Sequence, residues 1–115
     1  MKVAVSATGS DLTASVDRRF GRCPWFLLVD GASLDFEAVE NKNADDASGA
    51  GTACAQLVLE HDAEAVISGQ VGPNAFEALK QGGVKIFIAS EGTSVRDALT
   101  QYQNGKLRQM EMKVF

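Results

Sequence analysis

Short apolar runs separated by polar, glycine-rich segments recur along most of the chain. Residues Lys2 to Ala7 form such a run, which stops at Thr8-Gly9-Ser10 and predicts a first strand buried on both faces. The apolar run 25–29 and the alternating residues 34–38 predict two more strands. The short turn between them indicates that these two strands pair as an antiparallel hairpin.

The second half of the chain alternates between helical and strand-like patterns. Continuous apolar runs at 65–68 and 84–89 predict strands. Ser94, with Asp97 three residues later, resembles a helix-capping box. Helices are expected from about Gly51 to His61, from Pro73 to the Gly82-Gly83 pair, and from Ser94 to Asn104-Gly105.

Two segments show no clear period. Residues 8–24 are too long for an ordinary connection in a small domain, and loops of that length are usually functional or disordered. In the tail 106–115, Met110, Met112 and Val114 alternate with polar residues. The tail could therefore form an edge strand or pack against the body of the domain.

These elements predict a mixed α/β sheet. Strands 2–7, 65–68 and 84–89 are expected to be parallel because right-handed crossovers join them, with the second strand antiparallel to the first. The loop 8–24 then lies at the carboxyl edge of the parallel strands, beside loops 41–50, 68–72 and 89–92. Open α/β sheets bind their ligands at this edge.

Helix starts near Gly51, Pro73 and Ser94 would aim free backbone N–H groups at the same edge, which favours an anion. Glycines in the segments 49–51 and 69–72 permit close backbone approach to a ligand. Neither segment matches a phosphate-binding loop or a dinucleotide fingerprint, so nucleotide binding is disfavoured.

Charge makes the segment 16–26 conspicuous. The chain has a net charge of −4, yet Arg18, Arg19 and Arg22 fall within five residues of each other, beside Cys23. The acidic net charge argues against nucleic acid or a membrane surface as a partner.

The length of the chain predicts a single domain, residues 1–115. Because the chain has only two cysteines and no secretory signal, we expect the protein in the cytoplasm with reduced thiols.

The arginines suit an anion, because guanidinium groups hold an oxyanion or a sulfur-rich anion by hydrogen bonds alone. The alternative is that they form salt bridges to the acidic region 30–64.

Neighbouring arginines would lower the pKa of the Cys23 thiol and favour a thiolate, which binds soft metals. The alternative for Cys23 is an ordinary part-buried thiol. Cys54 and His61 are interpreted as structural residues, and Phe20 as an anchor of the loop.

Hydrolytic chemistry has little support in the sequence. No Ser/Cys–His motif and no histidine set for zinc is present, and the first strand carries no carboxylate for a two-metal nuclease site.

The strand Val3–Val5, the motif of residues 16–26, Asn43-Ala44 and the segment 49–51 together resemble the dinitrogenase iron-molybdenum cofactor biosynthesis family. This family includes the NifX and NafY cofactor carriers, the carboxyl-terminal domain of NifB and the orange protein. The resemblance covers essentially the whole chain, and its most specific part is the run R-F-G-R-C-P followed by two aromatic residues.

The resemblance implies a ribonuclease-H-like fold, with a five-stranded mixed sheet, strand two antiparallel and helices on both faces. It also implies a non-catalytic carrier of a metal–sulfur cluster, with a molybdenum-containing cluster as cargo and cluster-assembly or acceptor proteins as partners. Nitrogenase cofactor carriers typically have a histidine where this chain has Arg19. The match is therefore closer to the orange-protein-like branch, whose anionic cluster is held noncovalently.

Eleven residues are candidates for cluster binding, and Cys23 among them is the candidate metal ligand. They are Thr8, Gly9, Arg18, Arg19, Phe20, Gly21, Arg22, Cys23, Gly49, Gly51 and Gly69. The alternative function is a regulatory or scaffold module whose arginine loop docks on an acidic protein partner.

Overall fold

The computed structural model describes residues 2–44 and 49–111. Its elements in chain order are β1 (Lys2–Ala7), β2 (Trp25–Asp30), β3 (Phe36–Glu40), α1 (Ala50–Glu60), β4 (Ala65–Ser68), α2 (Pro73–Gln81), β5 (Lys85–Ile88), α3 (Val95–Gln103) and β6 (Arg108–Gln109). None of the helices in the described part of the chain is long and apolar enough to cross a membrane.

The strands form one mixed sheet in the order β3-β2-β1-β4-β5-β6. β1 pairs with β4 and β4 with β5 in parallel, whereas β1 and β2 run antiparallel. This confirms the predicted strand directions. The hairpin is also confirmed, because β2 pairs antiparallel with β3.

The third strand starts two residues later than predicted. Asp30 caps the turn by accepting hydrogen bonds at its Oδ1 from the N–H groups of Ala32 and Ser33. Leu34 lies in the left-handed region with φ of 64° and donates its N–H to the Asp30 carbonyl. The turn therefore extends through Asp35. The first two of the alternating apolar and polar residues 34–38 belong to this turn and not to the strand.

The tail adds a strand, so the expected count of five strands was wrong, and the described residues form a sheet of six. β6 pairs antiparallel with Phe87 and Ile88, and the N–H of Met110 donates to the Ile86 carbonyl at 2.8 Å. A two-residue strand is too short to show a period, and pairing with β5 creates it. Met112 and Val114 lie outside the described residues, and the ribonuclease-H-like assignment stays a prediction.

Alternating side chains of the sheet build two apolar layers. Val3, Val5 and Ala7 of β1 pack with α3, while Ala4 faces the layer that contains α1 and α2. Both faces of the sheet are thus covered by helices, as expected. Burial on both faces explains why the central strands read as continuous apolar runs instead of alternating ones.

The start of α3 is fixed by its cap. The Oγ atom of Ser94 accepts a hydrogen bond from the N–H of Asp97 at 3.0 Å. Asp97 lies in the first turn, where a negative charge is favourable. This part of the predicted capping arrangement is confirmed.

We expect Ser94→Ala to lower the free energy of unfolding by about 1 kcal/mol, within a range of roughly 0.5–2 kcal/mol, because it removes the acceptor of the capping bond. Ser94→Asp keeps an acceptor at this position and should retain most of the stability. Urea denaturation of both variants measures the difference. Equal midpoints for Ser94→Ala and the wild type would contradict the assigned cap.

Candidate functional site

The loop 8–24 is held against the carboxyl edge of the sheet by main-chain hydrogen bonds. The N–H of Phe20 donates to the Gln70 carbonyl at 3.2 Å, and the N–H of Val16 donates to the Thr93 carbonyl at 2.8 Å. These bonds connect the loop to the segments that follow β4 and β5. The predicted convergence of these loops at one edge is confirmed.

Asn41 connects the same loop to the end of β3. It is buried, and its Nδ2 donates to the carbonyls of Gly21 at 3.1 Å and Cys23 at 2.8 Å. Its main-chain N–H donates to the Pro24 carbonyl at 2.9 Å. Sequence reasoning missed Asn41, because a single asparagine in a polar segment gives no signal until its partners are known.

The first cavity at this edge, which we call the arginine cleft, has a volume of about 430 Å³. It lies between the loop 8–24 and the segment after β5. Its lining is mostly polar and comprises Thr8, Ser15, Val16, Asp17, Arg18, Arg19, Glu91 and Gly92.

The three clustered arginines have different surroundings. Arg19 pairs with Asp17 through two side-chain bonds, Nε to Oδ1 at 3.2 Å and Nη2 to Oδ2 at 3.3 Å. This hydrogen bonding and the charge of Asp17 raise the pKa of Arg19 above its ordinary value. Arg22 donates from Nη1 to the Ala44 carbonyl at 3.0 Å. Arg18 is exposed, and within residues 2–44 and 49–111 its guanidinium has no hydrogen-bond or ion-pair partner.

The second cavity, which we call the glycine cavity, has a volume of about 180 Å³. The first residues of α1 and α2 meet there, and neither helix start has a side-chain cap or an acid in its first turn. Both helix termini therefore contribute partial positive charge to it. Its lining comprises Phe20, Gly21, Gly49, Gly51, Thr52, Gly72, Pro73, Asn74 and Ala75.

The start of α3 does not contribute free N–H groups, contrary to expectation. The N–H of Val95 donates to the Ala14 carbonyl at 2.8 Å, and the N–H of Arg96 donates to the Leu12 carbonyl at 3.0 Å. The loop 8–24 itself occupies these donors. Two helix termini, and not three, are thus directed at a cavity.

The predicted site residues divide between these cavities. Thr8, Arg18 and Arg19 line the arginine cleft, and Phe20, Gly21, Gly49 and Gly51 line the glycine cavity. Gly9, Arg22, Cys23 and Gly69 line neither of the two. Phe20 is 2% exposed and packs edge-on against Phe26, with ring centroids 5.3 Å apart, so it also anchors the loop in the core.

Gly69 serves chain packing at this edge. A Cβ atom added there would lie 2.6 Å from the Arg18 Cα. Gly21 is similar, because an added Cβ would lie 2.9 Å from the Gly51 nitrogen. At these two positions the missing side chain admits a neighbouring stretch of backbone. For Gly69, the sequence suggested space for a ligand.

The environment of Cys23 differs from the expected one. Its side chain is fully buried, and the thiol donates to the Phe20 carbonyl at 3.2 Å. Burial, followed by the charges of Cys54 and Asp17, raises the pKa of Cys23. The expectation that the arginines lower this pKa was wrong, because Arg18, Arg19 and Arg22 are exposed while the thiol lies in the core.

No group of three or more His, Cys, Asp or Glu side chains suited to a metal ion occurs within the described ranges. Cys54 is also fully buried, as predicted, with its Sγ 3.4 Å from the Asn41 Oδ1. Ligation of a metal by Cys23 stays a prediction.

A family model described as dinitrogenase iron-molybdenum cofactor matches residues 1–105. An uncharacterized protein of Methanocaldococcus jannaschii is 30% identical over 114 residues, which cover 96% of this chain and 92% of that protein.

Two solved structures share both the fold and a substantial part of the sequence. The apo form of the orange protein from Desulfovibrio gigas matches with a TM-score of 0.91 and 36% identity, over 96% of this chain and 92% of that one. A putative NifB protein from Thermotoga matches with a TM-score of 0.86 and 34% identity, over 99% of this chain and 97% of that one.

We expect Gly69→Ala to destabilise the protein by about 1–3 kcal/mol, because the new methyl group overlaps the backbone of Arg18 and forces the loop to move. Gly51→Ala is the matched control. Its Cβ would meet only the Ala75 methyl group at 3.4 Å, and alanine favours the helix. Thermal and urea denaturation compare the two, and equal stability would contradict the close approach at Gly69.

Both cysteines should resist a disulfide reagent in the native protein at neutral pH and react fully on unfolding. The thiolate is the reactive form, and burial disfavours it at Cys23. Thr52→Cys provides an exposed thiol at the start of α1 and should react rapidly. Mass mapping identifies the modified residue, and rapid native labelling of Cys23 would refute its assigned burial.

Proposed function

The chain belongs to the dinitrogenase iron-molybdenum cofactor family, and from this premise we propose that it is a non-catalytic, cytoplasmic protein that binds or carries an anionic metal–sulfur cluster. The cluster is cargo, and a molybdenum-containing one is proposed. The observation that carries the proposal is the arginine cleft, where two guanidinium groups border one cavity in an acidic protein.

The arginine cleft fits the chemistry of such a cargo. Guanidinium groups donate several hydrogen bonds in a fixed plane and carry their charge at any physiological pH, so they bind a multiply charged anion without a covalent bond. Arg18 supplies an exposed guanidinium without a described partner, and Arg19 supplies one that Asp17 already orients. Capture is then electrostatic and reversible, as a carrier requires.

The glycine cavity supports an extended seat for the cluster. It adjoins the arginine cleft along the chain, since Arg19 lines one cavity and Phe20 the other. The starts of α1 and α2 favour negative charge there. We propose that the cluster contacts the loop 8–24 and the edge segments at 49–52 and 69–72, with Thr8, Gly9, Gly21, Arg22, Gly49, Gly51 and Gly69 at or behind the contact surface.

This form of binding does not need Cys23. The thiol is buried beneath the loop and already donates a hydrogen bond to Phe20, so ligation would require the loop to open. We propose that electrostatic capture is the main interaction. Cluster-assembly or acceptor proteins are the proposed partners, because a carried cluster must be received and delivered.

The test adds tetrathiomolybdate and copper(I) to the purified protein under anaerobic conditions and measures the retained metal and visible chromophore after desalting. We expect the wild type to retain both. The triple variant Arg18→Ala/Arg19→Ala/Arg22→Ala should bind at least about tenfold more weakly, because a hydrogen bond to a charged group contributes about 1.5–3 kcal/mol.

A matched triple variant, Lys2→Ala/Lys80→Ala/Lys85→Ala, removes the same charge at the opposite end of the sheet and should bind like the wild type. Lys2 and Lys85 begin β1 and β5, and Lys80 lies in the last turn of α2, just before β5. Arg18→Ala alone should show part of the loss with little effect on folding, because Arg18 is exposed. Retention of the chromophore by the arginine triple variant would count against the proposal. Absence of metal binding, with arginine-dependent recovery of a stoichiometric acidic protein from lysate, would favour the scaffold function instead.

A further inference from the structure

Asp17 is a nearly buried acid at the centre of the arginine loop. Its side chain is 7% exposed, whereas the Arg19 side chain that it contacts is 55% exposed. Asp17 Oδ1 accepts from the main-chain N–H of Arg19 at 2.8 Å and from its Nε at 3.2 Å, and Oδ2 accepts from Nη2 at 3.3 Å. One carboxylate thus holds both the backbone and the guanidinium of Arg19.

The main chain of Asp17 is itself attached to the sheet. Its N–H donates to the Ser6 carbonyl at 2.8 Å, and its carbonyl accepts from the Ser6 hydroxyl at 2.8 Å. The N–H of Gly69 also donates to this carbonyl at 3.4 Å, and the Ser68 hydroxyl approaches it at 3.5 Å. Ser6 and Ser68 are fully buried and hydrogen-bonded to each other at 2.8 Å.

The side chain of Arg19 is therefore linked to the ends of β1 and β4 through a single residue. Asp17 accepts from Nε and Nη2 of the guanidinium, and the other N–H groups have no partner among the described residues. They are therefore available to a ligand in the arginine cleft, which Arg19 lines. Arg18, in the same cleft, has no such support from the described residues.

We propose that Asp17 is a positioning residue of the anion site, which fixes the Arg19 guanidinium for cluster binding through its attachment to Ser6 and Ser68. This inference rests on the proposed cluster-binding function and adds a residue that does not touch the anion. An arginine that is already ordered loses less side-chain entropy on binding than a mobile one, so its hydrogen bonds contribute more to affinity.

A positioning role and a purely electrostatic role of Asp17 predict opposite changes in anion affinity. Removing the Asp17 carboxylate makes the cleft more positive, and charge alone would then tighten anion binding. If Asp17 acts by orienting Arg19, the same change weakens binding. Glu91 offers the comparison, because it lines the same cleft and forms no ion pair with the described residues.

The experiment titrates the purified protein, residues 1–115, with tetrathiomolybdate and measures the dissociation constant. We expect Asp17→Asn to bind about tenfold more weakly, in line with the loss of a long side chain's pre-ordering. Glu91→Gln, which removes the same charge from the cleft, should bind equally or more tightly. Asp11→Asn is the control within the loop 8–24. Asp11 is exposed, accepts a hydrogen bond from the Thr13 N–H and does not line the cleft, so the affinity of this variant should match that of the wild type.

Two further measurements separate positioning from general damage to the fold. In an Arg19→Ala background, Asp17→Asn should cause no further loss, because residues that act through one another are not additive. Nitrogen-15 relaxation should show an ordered Arg19 Nε in the wild type and a mobile one in Asp17→Asn. Ser6→Ala keeps every charge and should give an intermediate loss of affinity, so it serves if Asp17→Asn does not fold.

Binding by Asp17→Asn as tight as or tighter than the wild type would overturn the proposal, as would an Arg19 Nε that stays equally ordered. If the wild type binds no tetrathiomolybdate, the proposed function fails. The relaxation measurement then decides the role of Asp17 by itself, so the two failures can be told apart.

Discussion

The geometry of the carboxyl edge of the sheet depends on the hydrogen bonds of the Ser6 hydroxyl. This hydroxyl is fully buried at the end of β1, donates to the Asp17 carbonyl at 2.8 Å and shares a hydrogen bond of 2.8 Å with the Ser68 hydroxyl. A buried polar group without a partner is costly, and the Asp17 carbonyl gives this hydroxyl a second partner beside Ser68. The loop 8–24 supplies this partner and thereby becomes part of the sheet edge, although it contains little regular structure.

Because the loop 8–24 is attached to the sheet edge, its residues 18–23 place their charged side chains outward and their apolar side chains in the core. Phe20 and Cys23 are buried, while Arg18, Arg19 and Arg22 between and beside them are exposed. The outward residues carry the positive charge, and the inward ones fix the loop by packing and hydrogen bonds. An anion can therefore meet the arginines without entering the core, which is why noncovalent capture is the function that we propose.

The glycines and Asn41 set how closely the loop approaches its neighbours. At Gly69 and Gly21 the backbone of another segment occupies the space of a side chain, and Asn41 satisfies the carbonyls of Gly21 and Cys23. No buried polar side-chain atom among the described residues lacks a partner. A loop satisfied in this way is pre-organised, and pre-organisation reduces the entropy lost when a ligand binds.

Helices on both faces were expected from the family resemblance. The pattern of residues alone predicted the strand directions and the place of the arginine loop at the carboxyl edge. These follow from local periodicity and from the handedness of crossovers, which need no knowledge of distant contacts. The sequence also showed that Arg18, Arg19 and Arg22 form a positive cluster in an acidic chain.

Four features depend on the packing of the fold and could not be predicted from local sequence. They are the sixth strand of the described sheet, the blocked start of α3, the burial of Cys23 and the different surroundings of the three arginines. Each depends on which atoms of distant segments come within hydrogen-bond distance or exclude water. Sequence neighbours suggested that arginines surround Cys23, but alternate residues of a loop can point in opposite directions. The environment of a side chain is therefore set by the packing of the fold and not by its position in the motif.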